Sequence, residues 1–207
     1  MTLDEICALA PVIPVLTVDD AVDAVPLGEA LVAGGLPVLE VTLRTPAALE
    51  AIARIRSEVA GAVVGAGTLR SAQDVHKAAK VGAMFGVSPG FSPAVMATAA
   101  KAGLPMLPGV ATPSEAMAAA ELGCEILKFF PAEANGGIPV LKAWAAPLAG
   151  LKFCPTGGID AANAADYLAL PTVVCVGGSW VAPKAMVTAG DWGGIEALAH
   201  DAASLGL

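Results

Sequence analysis

Residues 38–66 read VLEVTLRTPAALEAIARIRSEVAGAVVGA. The stretch opens on the run Val38–Leu43, continues through the Ala-rich segment Pro46–Val59 and ends on a second apolar run, Val63–Ala66. The middle segment is made of good helix formers. A strand, a helix and a strand within about thirty residues make a βαβ unit, whose two strands run parallel.

The same rhythm extends in both directions. Further apolar runs stand at Val12–Leu16, Met84–Ser88, Met106–Val110, Ile126–Phe130, Phe153–Thr156 and Val173–Val176, about 20 to 27 residues apart. Helix-forming stretches separate them: Ala21–Ala33, Ser71–Val81, Pro93–Lys101, Pro113–Leu122, Ile138–Ala145 and Ala161–Leu168, with Gly194–Leu205 at the end. Ser92-Pro93 and Thr112-Pro113 have the form of an N-cap followed by a first-turn proline, with Glu115 in the first turn. Ser71 with Asp74, and Asp160, are further N-terminal signals. Gly34, Gly82, Gly103 and Gly123 fall where helices should stop. Near-continuous apolar strands alternating with helices imply a parallel sheet covered by helices. Eight such units at this short period predict an α/β fold of the (β/α)8 TIM-barrel type, with a short N-terminal helix, as one domain over residues 1–207. An open doubly wound sheet is the alternative.

Composition narrows the function. The chain has 207 residues, of which 56% are hydrophobic and 14% charged, with a net charge of −8. An acidic chain with no basic stripe is a poor partner for nucleic acid or an anionic membrane. No uninterrupted apolar stretch has the length of a membrane span, and the acidic N-terminus lacks the form of a signal peptide, so a cytoplasmic location is expected. The apolar surplus predicts burial between subunits. Cys7, Cys124, Cys154 and Cys175 form no C-x-x-C pair and read as buried reduced thiols.

The polar residues inside the strand runs point to chemistry. In Val38–Arg44, Leu39, Val41 and Leu43 share one face and Glu40, Thr42 and Arg44 the other. The apolar face suits the helices, so the polar face is expected to look into the lumen. There Glu40 and Arg44 are either a structural ion pair or a general acid/base beside a carboxylate-binding guanidinium. Lys128 sits among Ile126, Leu127, Phe129 and Phe130. A buried amine loses the hydration that favours its ammonium form, and the free amine attacks carbonyls. Lys128 is therefore a candidate nucleophile, with a structural charge partner for Glu40 as the other reading.

Val64-Gly65-Ala66-Gly67-Thr68 lacks the third glycine of a dinucleotide fingerprint. Ser88-Pro89-Gly90 ends the fourth run either as a plain turn or with Pro89 lining the site. The last two runs end in Pro155-Thr156-Gly157-Gly158 and Gly177-Gly178-Ser179. Glycine pairs expose backbone N–H groups, and the loops after strands seven and eight are the recurrent phosphate site of this fold. His76 and His200 lie in helical stretches, so neither a metal centre nor a Ser–His arrangement is expected.

These motifs, together with Lys128-Phe129-Phe130-Pro131-Ala132-Glu133, resemble the 2-dehydro-3-deoxy-6-phosphogluconate (KDPG) and 4-hydroxy-2-oxoglutarate (KHG) aldolase family over essentially the whole chain. Phe91 stands where a leucine is more usual. The resemblance implies a cofactor-free and metal-free Schiff-base lyase of the Entner–Doudoroff pathway, a homotrimer that cleaves a phosphorylated 2-oxo sugar acid. It implies Lys128 as the Schiff-base lysine and Glu40 as the proton carrier. Arg44 and Thr68 would bind the carboxylate, Pro89 and Phe130 would line the pocket, and Gly157, Gly158 and Ser179 would hold the phosphate. Thr156 and its neighbours would set the stereochemical choice. Related readings are the same chemistry on the phosphogalactonate epimer or on 4-hydroxy-2-oxoglutarate, a phosphosugar isomerase with Glu40 as base, and a non-catalytic phosphosugar-binding barrel.

Overall fold

The protein was analysed as a computed structural model that describes residues 1–205. Helix α1 (Leu3–Cys7) precedes strand β1 (Val12–Leu16), and then helix and strand alternate: α2 (Ala24–Ala33), β2 (Val38–Thr42), α3 (Ala48–Glu58), β3 (Val63–Gly67), α4 (Ala72–Lys80), β4 (Gly86–Val87) and α5 (Pro93–Ala102). Two short strands follow, β5 (Met106–Leu107) and β6 (Gly109–Val110), then α6 (Pro113–Glu121), β7 (Ile126–Phe129) and α7 (Gly137–Trp144). The chain ends with β8 (Lys152–Pro155), α8 (Ala164–Leu168), β9 (Val176–Gly178), α9 (Lys184–Ala189) and α10 (Trp192–Ala203).

All the pairings are parallel. One sheet has the order β5-β4-β3-β2-β1-β9 and the other β6-β7-β8. The sheets meet twice. β5 and β6 are halves of one apolar run, separated by Pro108, whose ring nitrogen has no hydrogen to give a ladder. On the other side, parallel bridges join Phe153 to Val173 and Thr156 to Gly177.

Two apolar clusters fill the molecule. In one, Leu39, Val41, Leu127 and Phe129 face the helices, against Ile52, Ile55, Leu141 and Trp144. In the other, Ile13, Val38, Val63, Val87, Leu107, Ile126, Cys154 and Cys175 face one another between the strands, and Ile6 and Cys7 of α1 join them. Strand alternation thus sends the odd residues of β2 outward and the even ones inward, the expected division. A Thr2/Glu5 capping box starts the short α1.

The caps at Ser71, Ser92 and Thr112 each accept the backbone N–H three residues on. Four expectations need correcting. Asp160 caps a turn rather than α8, accepting from Ala162 and Asn163 N–H. The last strand lies over Val176–Gly178 rather than Val173–Val176: Val173 N–H bonds the Leu170 carbonyl in a turn, and Val174 N–H makes only an isolated bridge to the Phe153 carbonyl. Helix α9 lies in a stretch with no assigned element. Cys124 is only half-buried, in the loop before β7, whereas the other three cysteines are buried; all four are free.

Candidate active site

Lys128 and Glu40 meet on the inner side of β7 and β2. The lysine Nζ lies 3.2 and 3.3 Å from the two carboxylate oxygens of Glu40. Both residues are almost fully enclosed, at 5% and 3% exposure. What aims Lys128 inward is the anchoring of its neighbours. Phe129 packs edge-on against Trp144 at 5.2 Å between ring centroids, and Phe153 lies 5.8 Å from the same indole. With Leu127 and Phe129 fixed outward, alternation leaves Lys128 no other direction. Its Nζ also lies 5.3 Å from the centre of the Phe130 ring.

Gly67 makes room for the carboxylate. A Cβ there would stand 2.2 Å from Glu40 Oε1. Gly177 does the same for Thr156, where a Cβ would stand 2.3 Å from Oγ1. These glycines are required by close approach, since neither has a positive φ. Opposite Lys128 on the neighbouring strand, the Cys154 thiol is held below the usual cysteine range, first by its hydrogen bond with Cys175 and then by the Lys128 charge. The contact with Cys154, then that with Cys7, and burial raise Cys175 well above that range.

On the far side of Phe130 from Lys128, Arg44, Phe130, Thr156, Gly157, Gly158, Gly177, Gly178 and Ser179 border one cavity of about 210 Å³, whose lining includes neither Lys128 nor Glu40. Gly157 and Gly158 both have left-handed backbones, with φ of 97° and 80°. Among the described residues, no intramolecular acceptor is found for the N–H of Gly158 or Ser179. The Gly157–Gly158 turn rests on Glu133, whose N–H bonds the Gly157 carbonyl and whose side chain lies where a Gly158 Cβ would go. Tyr167 donates its hydroxyl to that carboxylate. Burial, and then the Glu133 contact, push the Tyr167 phenol well above the usual tyrosine range.

Arg44 is exposed and lies beyond β2, in a turn where its N–H bonds the Thr42 carbonyl. It forms no ion pair with Glu40, whose partner is Lys128. Thr68 and Pro89 do not border this cavity. Thr68 is half-buried and holds φ at 63°, an uncommon conformation for a β-branched residue. Val15, Thr17 and Ile159 also line the cavity and were not anticipated. Thr17 carries a signal that could have found it, a polar residue directly after the first apolar run; Val15 and Ile159 carry none. Among the described residues there is no group of three or more His, Cys, Asp or Glu placed to hold a metal, and no helix is long and apolar enough to cross a membrane.

A family model described as KDPG and KHG aldolase matches residues 3–198. The chain belongs to that family. It is 47% identical to the KHG/KDPG aldolase of Escherichia coli K12 over 96% of this chain and 93% of the relative. The KDPG aldolase of Legionella pneumophila, solved with pyruvate captured as a covalent carbinolamine, superposes with a TM-score of 0.96 at 42% identity, covering 99% of each chain. The Zymomonas mobilis ZM4 enzyme, solved with 3-phosphoglycerate, gives 0.92 at 48% identity, covering 98% of this chain and 95% of its own. The family is one of carbon–carbon lyases, and its members' structures share the parallel α/β architecture found here.

Proposed function

We propose that this protein is a Schiff-base aldolase that cleaves 2-dehydro-3-deoxy-6-phosphogluconate to pyruvate and glyceraldehyde 3-phosphate. The observation that carries the reading is the Lys128–Glu40 contact at 3.2 Å, buried beside Phe130, which in turn borders the cavity lined by Arg44 and the glycine pairs. A buried ion pair is costly as a structural device, because desolvation offsets much of its attraction. Its place here is better explained by chemistry.

The Lys128 amine adds to the C2 carbonyl, giving a carbinolamine. Glu40 supplies the proton with which the carbinolamine hydroxyl leaves as water. The resulting protonated imine accepts the electron pair of the C3–C4 bond while the C4 hydroxyl gives its proton to Glu40, directly or through one water. The aldehyde leaves. The enamine takes a proton back at C3, and water releases pyruvate and the free amine. Arg44 offers two parallel N–H donors to the substrate carboxylate. Backbone N–H groups of the glycine loops and the Ser179 hydroxyl receive the phosphate, which favours a phosphorylated substrate over 4-hydroxy-2-oxoglutarate.

The two sheets would close into one (β/α)8 ring, with β5 and β6 as a single strand. The inner cluster, which takes side chains from both sheets, supports this. A homotrimer would cover exposed apolar residues such as Met117 and Leu122. Free thiols suit a cytoplasmic enzyme.

Incubation with pyruvate and borohydride, followed by peptide mass mapping, tests the central step. A stable adduct on Lys128 is expected. An enzyme that turns over while Lys128 stays unlabelled would overturn the mechanism.

A further inference from the structure

We propose that Thr17 reads the hydroxyl at C5 of the substrate chain and does so as a hydrogen-bond acceptor; this rests on the aldolase reading above. Thr17 follows β1 directly, and its side chain borders the same cavity as Arg44 and Ser179. Its Oγ1 lies 3.3 Å from Thr42 Oγ1. Thr42 is fully buried, and its hydroxyl lies 2.8 Å from the Leu16 carbonyl oxygen. A carbonyl can only accept, so Thr42 gives its one proton to Leu16. In the contact between the two threonines, Thr17 is then the donor. A hydroxyl has one proton and two lone pairs. Thr17 thus faces the cavity with its proton already used and its lone pairs free, in an orientation fixed by a buried neighbour.

An acceptor of this kind calls for a donor on the ligand. The carboxylate, the 2-oxo group and the ionised phosphate of the substrate are acceptors. The donors are the chain hydroxyls, and that at C4 is occupied in the reaction. The C5 hydroxyl lies between the carboxylate end, assigned to Arg44, and the phosphate end, assigned to Ser179, and Thr17 shares its cavity with both. The Thr156 hydroxyl also borders the cavity and gives its proton to the Cys154 carbonyl at 3.4 Å.

The reverse reaction tests this. Addition of pyruvate is measured with glyceraldehyde 3-phosphate, whose 2-hydroxyl becomes the C5 hydroxyl, and with 3-oxopropyl phosphate, which lacks it. Wild-type protein should favour the hydroxylated aldehyde in kcat/KM. Thr17→Val keeps the shape and removes the acceptor, so the preference should fall by up to about tenfold, the size of one net hydrogen bond. Thr17→Ser should keep it. A preference unchanged in Thr17→Val overturns the proposal, and so does a wild-type protein with no preference. Pyruvate labelling of Lys128 is the control, because pyruvate has no chain hydroxyl to read. If Thr17→Val abolishes the labelling, the role of Thr17 lies at the lysine and the proposal fails. If wild-type protein is never labelled, the aldolase reading itself fails first.

Discussion

Lys128 and Glu40 are nearly sealed from solvent, each fixed by a strand whose neighbouring residues pack outward, whereas Arg44 and Thr17 stand exposed just past the ends of their strands. The buried pair, the floor of the site, is set by core packing. The rim is set by turns, glycine backbones and single hydrogen bonds. Mutations at the two levels should therefore fail differently. Floor changes should remove chemistry, and rim changes should weaken binding while chemistry survives.

The largest effect is expected at the floor. Lys128→Arg keeps a cation beside Glu40 but removes the nucleophile, so turnover should fall by about 10⁴-fold or more with the fold intact by circular dichroism. Lys128→Met should lose the activity equally and also leave Glu40 buried without a partner, at a cost of about 3–5 kcal/mol in urea unfolding. Equal stability of the two variants would mean that the Lys128–Glu40 pair does not support the floor.

Gly67→Ala tests the same level without touching either charged group. Its Cβ would stand 2.2 Å from Glu40 Oε1, so the carboxylate must move. A displacement of about 1 Å costs on the order of 10²-fold in rate, and the loss should appear in kcat more than in KM. Unchanged kcat would show that Glu40 needs no fixed position.

Arg44→Gln tests the rim. Arg44 has no ion-pair partner among the described residues and is free to meet a substrate carboxylate. KM for the sugar acid should rise by about tenfold, with kcat changed far less, because a charge-assisted pair at an exposed site acts on substrate and transition state alike. An equal fall in kcat would move Arg44 to the level of the floor.

Legibility in the sequence followed the same division. Glu40 and Lys128 stood out because polar residues interrupt apolar strands, and strand periodicity then assigns their direction. The alternative reading of Glu40 and Arg44 as an ion pair is not met, because alternation holds only as far as the ladder, which stops at Thr42. The last strand, β9, takes in two glycines because its pairing with β1 overrode β-propensity. Gly67 could be read as a place of close approach, but not as the space for one particular carboxylate. Thr17 and the left-handed Thr68 depend on loop geometry, which no periodicity encodes.

The smallest effect lies behind the rim. Tyr167→Phe removes the hydrogen bond to Glu133, which underlies the Gly157–Gly158 turn. A carboxylate that loses a donor in a part-buried site should cost about 1–3 kcal/mol near pH 8, with a modest rise in KM for the phosphorylated substrate. The pH dependence has a defined sign. The phenol is raised above its unfolded value of about 10, so its contribution is fully present below that pH. As pH climbs past about 10, the unfolded chain ionises first and wild-type protein loses this stability, whereas the Phe variant has no such group to titrate. Urea unfolding at pH 8 and pH 10.5 should therefore show the gap between the two proteins narrowing at the higher pH. A gap of the same size at both values would mean that the Tyr167 phenol is not raised, and that the turn is held by Glu133 through its backbone N–H alone.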